Sequence, residues 1–211
     1  MLNTLVSTAL STSLILTSLS EGNTPVAEQA ARLVERNQVV LAQETLDLTN
    51  RHPVESINNG FKENILLALN YLNLDGNNGF ILNPDEVFAF HKNILPEFRQ
   101  YKIVTQESGF FTKDGYKYVG GLAGNGVCHL ASLINWVATE ASLEVTAPTN
   151  HNFAKIPGIE KKYGISILFL PDGGITSEKQ NLYIRNSLPS TVKFQFSLFG
   201  DELQLTILTV Y

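Results

Sequence analysis

The chain has 211 residues, of which 44% are hydrophobic and 17% charged, and a formal net charge of −5 at pH 7. This length and apolar content describe a folded domain able to bury its own core, and the acidic balance without a basic cluster argues against nucleic acid as a partner, since phosphate contact demands a cationic patch. The single cysteine excludes an intrachain disulfide and a zinc ribbon, which needs repeated Cys-x-x-Cys spacing.

Residues 1–20 carry no charged side chain and set Leu5, Leu10, Leu14, Ile15 and Leu16 among Ser and Thr. They read as a signal or membrane-anchor segment of an extracytoplasmic protein; the lack of a basic residue before Arg32 leaves a cytoplasmic chain as the alternative. Residues 21–44 read as a stalk or linker helix, with a modest apolar face at Val26, Ala30, Leu33 and Val34. From residue 45 to 211 the pattern is that of one folded domain.

In TLDLTNR (45–51) the alternation of Leu46 and Leu48 predicts a short strand. A helix is expected from about Pro53, with Ile57, Phe61, Ile65, Ala68, Leu69 and Leu72 on one stripe, Gly60 as a weak point, and the Asp75–Gly79 run as its stop. Short apolar stretches follow: FIL, VFAF, then YKIVTQESGFF and YKYVGG around Lys113-Asp114-Gly115, where Asp-Gly signals a hairpin. A second helix is predicted over 128–143, because Leu130, Leu133, Ile134, Val137 and Ala141 share one face. Strands are expected at 165–170, 182–184, 191–199 and 202–210, the last two joined by a type II′ turn at Gly200-Asp201. The sum is a single-domain α+β fold, an antiparallel sheet with hairpins packed against the 128–143 helix and preceded by an N-terminal helix.

Chemistry is suggested at one junction. GGLAGNG (120–126) runs into Val127, Cys128 and His129 at a helix start, where glycines bring backbone close to a ligand and helix N–H groups stabilise an anion such as a thiolate. Cys128 is therefore a candidate nucleophile, with His151 as base and acid and the amides of the Gly126-Val127-Cys128 turn as oxyanion donors. The opposing reading makes Cys128 a small apolar filler. Asn152 and Asp172 are candidates to orient His151, and Gly124, Asn125, Gly126 and His129 to form the surrounding groove. Successive helical residues diverge, so His129 is expected to point away from Cys128. His52 and His91 have no partner nearby in sequence, and Cys128, His129 and His151 have poor spacing for a metal. Phe88, Phe90, Phe110, Phe111, Tyr116 and Tyr118 suit either ordinary sheet packing or a glycan-binding groove.

These segments resemble the VanW-like family, named after an accessory protein of vancomycin-resistance clusters. Its glycine run followed by Val or Ile and Cys is matched by Gly124, Gly126, Val127 and Cys128, and its Pro-Gly-Glu then Phe-Ser-Phe-Asn strand by Pro84, Glu86, Phe88 and Phe90. Residues 181–207 are similar to its closing strands, with Asn186 in the expected loop. The chain departs from the pattern at His129, where Gln is usual, at Asn125 within the glycine run, at Asp85, and in keeping only His151 of a His-Pro-His segment. The resemblance implies the α+β fold and a bacterial cell-envelope setting, with no settled activity and no cofactor. Two functions stand: thiol-dependent acyl transfer or amide hydrolysis on peptidoglycan peptides, and non-catalytic binding of a cell-wall peptide, a glycan or a partner protein.

Overall fold

The structure is a computed structural model and describes residues 38–73 and 78–210. The expectations for residues 1–20 and for most of 21–44 lie outside the described residues. The exception is the end of the latter stretch: Val39–Asp47 is strand β1, paired antiparallel with Glu202–Val210 (β10). The sheet thus begins earlier than the stalk reading allowed, because Val39 and Val40 are β-branched and the edge of β10 offers their backbone a complete ladder.

β10 pairs in turn with Thr191–Phe199 (β9), and β9 with Gly79–Leu82 (β2), giving a sheet in the order β1-β10-β9-β2. Strict alternation explains its single buried face: Val192, Phe194 and Phe196 point inward while Lys193, Gln195 and Ser197 do not. Gly200 takes φ 63° in the two-residue β9–β10 turn, and Asp201 is absent from the positive-φ residues, consistent with the type II′ geometry expected.

A second sheet has the order β4-β3-β8-β7, formed by Ile103–Thr105 (β4), Val87–Ala89 (β3), Tyr183–Arg185 (β8) and Glu144–Thr146 (β7). Its β3–β4 pair is parallel, which the hairpin reading did not foresee. Tyr118–Val119 (β5) and Leu122–Ala123 (β6) form a separate ribbon. Lys113-Asp114-Gly115 is no hairpin turn. Thr112–Asp114 is a 3-10 turn, and the Asp114 carboxylate accepts from the Gly109 and Phe111 amides, closing a local loop in place of a strand pair.

Glu55–Leu72 (α1) and Val127–Glu140 (α2) are the two long helices among the described residues. α2 touches β1 and β10 of the first sheet and β7 of the second, so Leu130, Ala131, Leu133, Ile134, Val137 and Ala138 are fully buried. α1 lies beside α2, β2 and β5. Gly60 lies within the unbroken helix and makes a close contact: a Cβ there would stand 2.4 Å from a methyl of Val119. A short helix, Gly174–Lys179 (α3), precedes β8.

Residues 165–170 are extended but join no ladder beyond one bridge between Asn150 and Ile165. Their amides go elsewhere, Ser166 to the Thr149 carbonyl and Leu168 to that of Gln180. The apolar run meant burial beside α2, not sheet membership.

Aromatic rings join the two sheets. Phe80 on β2 stacks at 4.4 Å on both Phe194 of β9 and Phe88 of β3, and the series continues through Phe90, Phe110 and Tyr116. Four of the six aromatics considered for a glycan groove are thus core residues. Phe80→Ala is expected to cost about 3–5 kcal/mol, the usual range for emptying a buried phenylalanine site, measured by urea denaturation; a cost below about 1 kcal/mol would show that the sheets are not joined there.

Candidate functional site

The glycine run brings α2 against α1 more closely than side chains permit. Gly126, at φ 105°, leads directly into α2, and a Cβ on it would lie 2.7 Å from the Phe61 carbonyl oxygen. Only glycine fits both constraints. Gly124, at φ 75°, is similarly crowded by Phe110. Asn125 donates from its side chain to the Val119 carbonyl, and its own carbonyl accepts from Asn64 of α1 at 2.9 Å. The turn is fastened from both sides.

Opposite it, the segment leading into α1 is held by Asn58. Its Oδ1 accepts from the amides of Arg51 (2.6 Å) and His52 (3.1 Å), and its Nδ2 donates to the Leu48 carbonyl. Between these two fastened segments and the 151–158 loop lies a cavity of about 740 Å³. Arg51, His52, Cys128, His129, His151 and Lys155 line it, and no Asp or Glu does. Its size is that of a small-molecule or peptide site.

Cys128 is half-buried, and its thiol is occupied on both sides by one residue: Sγ donates to the Ile167 carbonyl at 3.6 Å and accepts from the Ile167 amide at 3.4 Å. Burial pushes the thiol above its ordinary value, and the Ile167 amide opposes this only in part. The helix start therefore does not ionise the sulfur. Of the amides expected as oxyanion donors, that of Val127 is engaged with the Gly124 carbonyl, and that of Cys128 faces its own sulfur.

His151 shares the cavity with Cys128, but its Nδ1 bonds the Ala154 carbonyl at 2.9 Å, and no hydrogen bond links it to the thiol among the described residues. A backbone carbonyl thus does what Asn152 or Asp172 was expected to do; both of those are exposed, and neither bonds His151. Asn152 lines a separate, adjacent depression. The Phe153 ring covers the outer face of His151 at a centroid distance of 4.0 Å and is itself 76% exposed.

His129 lies on the cavity wall with the groove residues. It is buried, its ring lies edge-on to those of His151 (6.1 Å) and Phe61 (5.4 Å), and its Nδ1 has no hydrogen-bond partner. Burial, reinforced by the Arg51 charge, lowers its pKa to about 3. At neutral pH it is an uncharged ring. Arg51 is 3% exposed, and its Nε and Nη1 likewise lack partners; burial lowers its pKa to about 10, so it stays cationic. Sequence reasoning missed Arg51 and gave His52 no role, since their only sequence signal is an Arg-His-Pro placed just before a helix. No set of three His, Cys, Asp or Glu among the described residues is arranged to hold a metal ion.

The family model described as VanW like protein matches residues 60–208. Nothing among curated proteins or solved structures matches the chain. The cavity therefore combines a wall inside the matched stretch, from the glycine turn to Gln180, with a wall at Arg51 and His52 that precedes it.

Two buried imidazoles make stability depend on pH. His91 is fully inaccessible, accepts from the Asn93 amide at Nδ1 and bonds the Gln180 carbonyl through Nε2, and burial lowers its pKa to about 4. With His129 at about 3 and an unfolded value of about 6.5, the unfolded chain binds more protons below pH 6.5, so stability falls as pH drops through that window and is level above it. Each ring contributes about 1.4 kcal/mol per pH unit. Between pH 6.5 and 5, His129→Gln is expected to reduce the slope of urea-derived stability by about one proton; an unchanged slope would mean that His129 charges in the folded protein.

Proposed function

The chain belongs to the VanW like protein family, and from that premise we propose that it is a ligand-binding domain of the bacterial cell envelope, holding a cell-wall peptide in the cavity between Arg51, Cys128 and His151. In this reading Cys128 is a packed wall group. The observation that carries it is the pairing of the thiol with both backbone groups of Ile167, with no imidazole bonded to take its proton, while burial holds the thiol above its ordinary value.

The rest of the site suits binding. The cavity has a buried cation, the uncharged His129 ring, and apolar surface from Phe61, Leu122 and Phe153, a mixture that orients a peptide by a few polar groups within an apolar lining. Its walls are set by a glycine turn and an asparagine clamp, so little ordering is required on binding. The leader-like residues 1–20 agree with an envelope setting.

Thiol-dependent acyl transfer is the second reading, favoured by the presence of Cys128 and His151 on one cavity. It requires the Ile167 bonds to open, the thiol to ionise and His151 to leave Ala154. One experiment separates the two. The full chain is expected to co-sediment with purified peptidoglycan sacculi and release no new amine from them, and Cys128→Ala is expected to bind within about threefold of the parent, since a small side chain replaces a packed wall group. Failure to co-sediment would refute the binding reading, and amine release lost in Cys128→Ala would establish the catalytic one.

A further inference from the structure

The chemistry of the ligand is written in the groups that the fold leaves unpaired. A buried guanidinium without partners is costly, because its lost hydration is not returned by protein hydrogen bonds. Arg51 is in that state at Nε and Nη1, and His129 is at Nδ1, and both line the same cavity. Elsewhere among the described residues, buried side-chain polar atoms are matched. Arg185 meets Glu144 and Asp85, Arg99 meets Glu178, and buried Asn58, Asn64, Asn181 and Asn186 each use both ends of the amide. Among the described residues, the buried side-chain atoms without a partner belong to these two residues of the cavity wall.

The sign of the missing partner follows from the lining. In a chain of net charge −5, Arg51 and Lys155 are the charged residues of the cavity wall and no carboxylate lines it; Asp47, whose charge acts on Arg51, stands outside the wall. Arg51 is the buried one, whereas Lys155 is exposed at the surface. One buried cation flanked by imidazoles matches a single negative charge, not a doubly charged phosphate, and a planar guanidinium matches a carboxylate in shape. Asn58 holds the Arg51 backbone, so the guanidinium is presented on a fixed segment and not on a loose arm.

We propose that the cavity takes a carboxylate, such as the free C-terminus of a peptide, whose oxygens accept from the Arg51 guanidinium beside the His129 ring. This deepens the peptide-binding reading and rests on it for the remainder of the ligand. Phe153, Phe61 and Leu122 would then flank the side chains that precede the carboxylate. The Arg51 wall lies before residue 60, where the family match begins, so the specificity sits on a segment outside that match.

The test uses the full chain with N-acetyl-alanyl-alanine, its C-terminal amide and inorganic phosphate as probes, read by the side-chain Nε–H resonances of arginine in NMR spectra. Arg51→Gln assigns the Arg51 signal. The free acid is expected to shift that signal saturably and to bind about tenfold or more tightly than the amide or phosphate, reflecting loss of a charge-assisted pair. Arg51→Gln should bring the acid down to the amide. Because the parent protein alone reports acid against amide, the result stands even if that variant folds poorly. Equal binding of acid and amide, an unmoved Arg51 signal, or tighter binding of phosphate would each overturn the proposal. Sacculus binding retained alongside equal acid and amide affinities would refute the carboxylate and leave the binding reading intact. Acid selectivity without sacculus binding would do the reverse.

Discussion

Everything at the site depends on how closely the Gly126 turn approaches the Phe61 backbone. A side chain at residue 126 would meet the Phe61 carbonyl oxygen at 2.7 Å, so α1 and α2 can be juxtaposed there only through glycine. That contact sets the start of α2, and with it Cys128 and His129, directly across from Arg51 and His52 at the start of α1. Moving the two helices apart by the width of a methyl group would separate the walls of the cavity.

Short strands create a second constraint. β3, β4, β7 and β8 have three residues each, so much of the backbone lies in turns whose amides and carbonyls need partners. Buried asparagines supply them, since one primary amide both donates and accepts. Asn186 donates to the Leu82 and Ser190 carbonyls and accepts from Leu188, joining the ends of the two sheets. Asn181 does the same for the turn at His91 and Asn93. Asn64 ties Lys117 and Asn125 to α1. The asparagine in the expected loop of the family pattern is, on this geometry, a structural clamp.

Periodic segments were legible in the sequence. The stripe through Leu130, Leu133, Ile134 and Val137 and the alternation through Val192, Phe194 and Phe196 correspond to the buried faces of α2 and β9. What misled was local chemistry that tertiary structure redirects: Asp114-Gly115 has hairpin composition, yet its carboxylate closes a loop, and the apolar run at 165–170 is buried without pairing. The glycine-cysteine junction was singled out from its residues and lies on the cavity wall. The other half of the cavity was not, because Arg51 gains its meaning only from being buried without a partner, a property with no sequence pattern. Helical divergence turns His129 from Cys128, and that same turn directs it onto the cavity wall beside His151.

The site thus joins a thiol wall held above its ordinary value to a buried cation without hydrogen-bond partners at Nε and Nη1, and its chemistry follows from which of the two acts at neutral pH. A direct decision comes from the ultraviolet absorbance of the thiolate of the single cysteine, followed against pH in the native protein with Cys128→Ala as the blank. The account requires an apparent pKa above the ordinary thiol value of about 8.5, so that Cys128 is neutral where the cavity works. A thiolate formed below pH 7 would contradict it and make the sulfur, not Arg51, the reactive centre of the cavity.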